Sequence, residues 1–169
     1  MDIGTVQQML ADQVEQLTAL VAGVSQEQAH WKPAPDRWSI LEVVNHLYDE
    51  ERQDFRVYLD IILNRPGDPW PSIDPMGWIT ERHYNERELQ TSFEALLAER
   101  GASLAWLNTL GSPDLDVEVS NEYGTWRAGD MAASWVVHGQ WHMEQLIRLL
   151  RDYTIRQLQP YRVAYAGRL

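Results

Sequence analysis

The sequence predicts an all-α fold, a four-helix bundle with a long crossover between its second and third helices. Three features carry that expectation. Apolar residues recur at steps of three and four in four separate segments, as on one face of a helix. One segment opens with a complete set of helix-start signals. A proline-rich link, residues 64–90, separates the middle two segments and is long enough to let them run parallel rather than fold back as a hairpin.

The first helix is expected over residues 3–23, where Val6, Leu10, Val14, Leu17, Val21 and Val24 form the stripe and Gly23 with Pro33 and Pro35 ends it. The second starts at Ser39, with Glu42 completing a capping box and Trp38 and Val43 placed for a hydrophobic staple. Its apolar face runs through Leu41, Val44, Leu47, Tyr48, Phe55, Tyr58 and Ile62 as one continuous helix until Arg65-Pro66-Gly67 stops it. The third begins near Thr91 or Ser92 and carries Phe93, Leu97, Leu104, Leu107 and Leu110, with Arg100 interrupting the stripe. That arginine either snorkels along its stem or reaches a polar centre within the bundle. Val117 and Val119 alternate with acidic residues, which fits a short extended segment turning at Tyr123-Gly124-Thr125. The fourth helix is expected from Gly129 to Tyr153, its arginines 148 and 151 placed to complement the dipole, and residues from Pro160 onward read as a tail. The chain is of a length that fits one domain, residues 1–169.

Composition removes several functional classes. Fourteen basic against 25 acidic residues leave a net charge of −11, with Lys32 the sole lysine. Nucleic acids and anionic membrane surfaces are therefore not expected partners, because both require a basic face. The absence of cysteine excludes disulfides, thiolate metal sites and a cysteine nucleophile. No apolar run approaches a membrane span and the first residues do not resemble a secretion signal, so a cytoplasmic location is expected. Eight tryptophans point to a core, pocket or interface built on large rings.

His138 and His142 stand one helical turn apart on the stripe Met131, Trp135, His138, His142, Gln145, Leu149. They occupy positions where apolar core residues belong. Two neutral imidazoles buried side by side are costly unless a shared cation takes their lone pairs. Hydrogen-bonded core histidines are the ordinary alternative. His46, at the edge of the second helix's apolar face, is the third candidate ligand. Three imidazoles with further positions free are the layout of a catalytic site rather than a structural one. A zincin arrangement fails because Gly139 stands where the base would follow the first histidine, and a ferritin-like one because Glu27-x-x-His30 has no counterpart. His30 and His83 fall in expected loops and read as solvated.

The run Trp38-Ser39-Ile40-Leu41-Glu42-Val43-Val44-Asn45-His46-Leu47 resembles the helix-two signature of the DinB/YfiT-like superfamily, and His138-x-x-x-His142-x-x-Gln145 resembles its helix-four motif. The resemblance spans nearly the whole chain. It implies an up-down-down-up bundle, a divalent metal (zinc or nickel) on His46, His138 and His142, and a homodimer. Related activities include low-molecular-weight thiol transferases that use bacillithiol and a mycothiol-dependent maleylpyruvate isomerase. Trp141 before His142 departs from relatives in which a histidine neighbours the second ligand. On this reading a metal-held thiol or water attacks a small electrophile, in a pocket closed by the crossover at Trp78 and Tyr84. Glu50, one turn beyond His46, is then the candidate proton acceptor, though a solvated surface acid is its ordinary role; Gln145 is the candidate for orienting water or substrate. A non-catalytic metal- or ligand-binding bundle is the alternative.

Overall fold

The computed structural model describes residues 1–167; Arg168 and Leu169, at the end of the expected tail, lie outside them. Seven α-helices and one β-hairpin are present among these residues: α1 Ile3–Val21, α2 Gln26–His30, α3 Ile40–Gln53, α4 Phe55–Asn64, α5 Pro75–Glu81, α6 Leu89–Thr109 and α7 Ala128–Gln157, with β1 Glu118–Asn121 and β2 Gly124–Arg127 between the last two helices. No helix is long and apolar enough to cross a membrane.

Helix ends follow local chemistry. Asp2 accepts from the Thr5 amide at the start of α1, and Ser39 with Glu42 forms the capping box expected for α3. Three elements differ from the expected boundaries. The segment read as one second helix is two, α3 and α4, broken at Asp54, whose φ of −118° and ψ of −98° leave the helical region. No glycine or proline marks this break. The third helix starts earlier, at Leu89, and the fourth runs on to Gln157. A short helix, α2, occupies a stretch expected to be loop, and there His30 is not solvated: its Nδ1–H donates to the Asn85 carbonyl while Gln26 Nε2 approaches its Nε2 at 2.5 Å.

Cross-helix hydrogen bonds fix the directions. Along α3 and α4 the residues Asn45, Glu51 and Arg56 meet Ser92, Arg100 and Ser103 of α6, so these helices run parallel. Gln7 meets Leu104 while Leu10 and Gln13 meet Arg100, so α1 and α6 are antiparallel. Glu50 and Glu51 meet His138 and Trp135, so α3 and α7 are antiparallel as well. The result is up-down-down-up, with the long crossover returning the chain to the same end before α6.

The core falls into two apolar clusters. One gathers Val6, Leu10, Leu59, Ile62 and Trp135; the other gathers Leu17, Leu41, Val44, Leu96 and Leu146. A buried polar network lies between them. Arg100, 3% exposed, donates from Nε to Glu51 Oε1 at 2.8 Å and from Nη1 to the Leu10 carbonyl and Gln13 Oε1. Trp135 Nε1 donates to the second oxygen of Glu51 at 2.9 Å, and Gln13 Nε2 donates to the Val136 carbonyl at 2.8 Å. Of the two courses open to Arg100, the polar centre is the one taken. The same network explains why Gln13 is buried and Val14 of the expected stripe is less so. Every charge in the network has a partner, which a low-dielectric interior demands.

Candidate metal centre

Beside this polar layer, three imidazoles converge. His46 projects from the middle of α3 and is 4% exposed; His138 and His142 project from one face of α7 toward it. One ring nitrogen from each lies within 4.8 Å of the others, and among the described residues no other set of His, Asp or Glu meets that condition. His138 Nε2 and His142 Nε2 are 3.1 Å apart. Two nitrogens at zinc-ligand distance and tetrahedral angle would be separated by roughly 3.3 Å.

Each ring is held from behind. His142 Nδ1–H donates to Gln145 Oε1 at 2.9 Å, which leaves the Nε2 lone pair facing His138. Trp38, one residue before the cap of α3, stacks on His142 at 5.8 Å and meets His46 edge-on at 4.8 Å. Phe55, the first residue of α4, lies 5.0 Å from the His138 ring. The break at Asp54 thus delivers an aromatic wall to the histidines.

Electrostatics favour lone pairs over protons. Burial, reinforced by neighbouring imidazoles, lowers the pKa of both His46 and His142 to about 3. Neutral His46 carries a further strain: its Nδ1 is buried and has no hydrogen-bond partner. An orphaned buried nitrogen beside the imidazoles of His138 and His142 belongs to a donor set that a divalent cation would satisfy. The residues present fit such an ion, and three protein nitrogens leave room for a further ligand. His138 keeps 20% of its side-chain surface, so the cluster is reachable from solvent.

Glu50 completes the cluster. It is 6% exposed, its Oε2 is 2.8 Å from His138 Nε2, and its Oε1 is 3.5 Å from His46 Nε2. The expectation of a solvated surface acid is thereby corrected, because the antiparallel crossing of α3 against α7 presses this face of α3 onto the histidines. One turn further, the Asp54 carboxyl is raised to about 7, by burial first and by Glu50 second.

A family model described as the DinB superfamily matches residues 9–146. The chain belongs to the DinB superfamily. A search of solved structures finds YfiT from Bacillus subtilis, described as a probable metal-dependent hydrolase with an unusual four-helix bundle topology. The TM-score is 0.76 at 17% identity, over 90% of this chain and 87% of that one. No curated protein matches.

Within this DinB bundle the crossover does not do what its sequence implied. Trp78 lies under the Arg82 guanidinium, 3.9 Å from its ring centre, and the Tyr84 hydroxyl donates to Asp49 Oδ2 at 2.6 Å, on another face of α3. Neither ring lines the two cavities bordered by residues that pack on the histidines. One, about 310 Å³, is bounded by Trp38, Trp141 and Gln145; the other, about 340 Å³, by Phe55, Tyr58 and Trp70. The part of the crossover that reaches the site is Trp70–Ile73, held where the Tyr58 hydroxyl donates to the Pro71 carbonyl at 2.6 Å. Trp38 and Phe55 were legible only as apolar stripe or staple residues, and Asp54 carried no signal. His83 is exposed beside Glu86, away from the cluster.

Proposed function

We propose that this DinB-family chain is a metal-dependent enzyme that activates a protic nucleophile, a thiol or water, for attack on a small electrophilic molecule. The observation that carries the reading is the Glu50 carboxylate at 2.8 Å from one of three converging, largely buried imidazoles. His46, His138 and His142 would hold a divalent ion, with zinc or nickel the best match to an all-imidazole set. Such an ion lowers the pKa of a protic ligand entering its open position.

The chain's own residues supply the rest. Gln145 fixes the His142 tautomer through its Oε1, so that Nε2 faces the centre. Trp38 and Phe55 exclude water on two sides and hold the ring planes. Glu50 accepts the nucleophile's proton and can return it to the leaving group, a role that its burial beside the centre and its place against His46 and His138 support. The absence of cysteine means that a thiol transfer would use a low-molecular-weight thiol as cosubstrate. Two cavities, one bordered by Trp38 and Gln145 and the other by Phe55, would accommodate two reactants. A homodimer belongs to the same proposal.

The test is turnover by the metal-loaded protein, first with thiols against a soluble electrophile and then with activated esters and amides. Glu50→Gln should retain the metal and lose at least a hundredfold in kcat, whereas His46→Ala should lose metal and turnover together. If Glu50→Gln turns over at the wild-type rate, the assignment of the proton acceptor is wrong. If metal binding raises the melting temperature while no substrate is turned over, the centre is a non-catalytic one.

A further inference from the structure

The second cavity, about 340 Å³, begins one helical turn from Glu50 and carries five aromatic side chains on its wall. Phe55 is shared with the His138 face; Tyr58 and Trp70 stack at 4.5 Å; Trp70 meets Trp126 at 5.9 Å; and Tyr123 with Trp126 brings the β-hairpin in as the outer rim. Asp54 is the one charged residue on this wall, beside Ser72 and Ser134. Its side chain makes no helix-cap bond, and no lysine, arginine or histidine lines the cavity among the described residues.

We propose that this cavity is the substrate subsite of the three-histidine centre and that it takes a small organic ammonium ion. The role as substrate subsite rests on the catalytic reading above; the binding preference does not. Ring faces carry negative quadrupole potential and attract cations, most strongly where water is excluded. A single carboxyl among rings completes the recognition of a positive charge. The same carboxyl argues against anions and against neutral apolar ligands. An anion would meet Asp54 with no basic side chain on the wall to offset it, and a neutral apolar ligand would desolvate Asp54 without compensation. Burial and the nearby Glu50 already hold the Asp54 carboxyl up at about 7, the condition of an acid that lacks a counter-charge. The volume suits a molecule at the small end of ordinary ligands.

The experiment is calorimetric titration of the zinc-loaded full chain, with tryptophan fluorescence as a second readout from Trp70 and Trp126. The probes are phenyltrimethylammonium and its uncharged isostere tert-butylbenzene. The cation should bind at least tenfold more tightly than the isostere. Asp54→Asn, which keeps the shape of the side chain, should remove most of that preference, and Trp70→Leu should weaken the cation at least tenfold. Equal affinity for the two probes, or no cation binding up to millimolar concentration, would overturn the proposal on the wild-type protein alone, whatever the variants do. The two readings fail separately. Loss of cation preference with Glu50-dependent turnover intact sinks the subsite only, while cation binding alongside turnover that is indifferent to Glu50→Gln sinks the catalytic assignment only.

Discussion

Acidifying the metal-free protein should destabilise it, and single substitutions should change the slope by amounts that can be worked out from the site. His46 and His142 have folded pKa values of about 3 against 6.5 for the free side chain. Their contribution is therefore full above 6.5 and is lost as pH falls toward 3, because the unfolded chain binds a proton at each site that the folded one refuses. Two such protons correspond to a slope of about 2.7 kcal/mol per pH unit. Asp54 opposes them. Its folded value of about 7 lies above the usual 3.8, so its contribution is full below 3.8 and is lost as pH rises to 7. Where the windows overlap, the net from these three groups is about 1.4 kcal/mol per pH unit, or roughly 4 °C in Tm for a chain of this size. His46→Gln should flatten that net to near zero, and Asp54→Asn should double it. Melting curves between pH 4.5 and 6.5 in the presence of a chelator measure all three proteins, and the differences between slopes cancel the carboxylates they share. Parallel pH slopes for wild type and His46→Gln would refute the claim that this imidazole is held neutral by burial.

Three further outcomes follow from the same geometry. Zinc at a hundredfold excess over Kd should raise Tm by about 8 °C, from about 2.7 kcal/mol of linkage, and His142→Ala should abolish the shift; a shift that survives the substitution places the ion elsewhere. Gly139→Ala introduces a methyl into Gln13 Oε1 and should cost about 1–3 kcal/mol despite alanine's better helix propensity, so an unchanged or higher Tm would contradict the close approach of α1 to α7. Arg100→Met leaves the Glu51 carboxylate buried without its cation and should cost about 3–5 kcal/mol; adding Glu51→Gln should recover much of the loss, and strict additivity of the two would argue against the pair.

The fold was legible because it depends on patterns that survive without tertiary information. Heptad-like stripes, the Ser39–Glu42 box and the length of the crossover are local or combinatorial properties, and the parallel run of α3 and α6 follows from that length. Gln13 and Arg100 show where such patterns stop. On its own helix Arg100 looks like an interruption of an apolar face and Gln13 lies off the expected stripe, and only the facing Glu51 and Val136 carbonyl reveal them as parts of one network. The short α2 was missed for a similar reason: five residues behind a Ser25 cap carry too little periodicity to register, while the His30–Asn85 contact depends on a turn 55 residues away.

At the site the division is sharper. The His138–His142 pair announces itself because helical spacing alone puts both rings on one face, and Glu50 is reachable by the same rule from His46. Its burial is not, since that depends on α7 lying antiparallel against α3. The break at Asp54 is further still from sequence: Arg52-Gln53-Asp54-Phe55 contains no helix breaker, and the Tyr58 amide still bonds back to the Asp54 carbonyl at 2.9 Å. What the break accomplishes is tertiary. It sets Phe55 against both His138 and Trp135, the latter stacked at 6.2 Å, and turns the Asp54 carboxyl into the aromatic cavity. A straight helix through this point would carry the same residues on a different bearing. The local distortion therefore couples the histidine cluster to the cavity beside it, and the one residue with no sequence signal becomes the one on which the two ends of the candidate site meet.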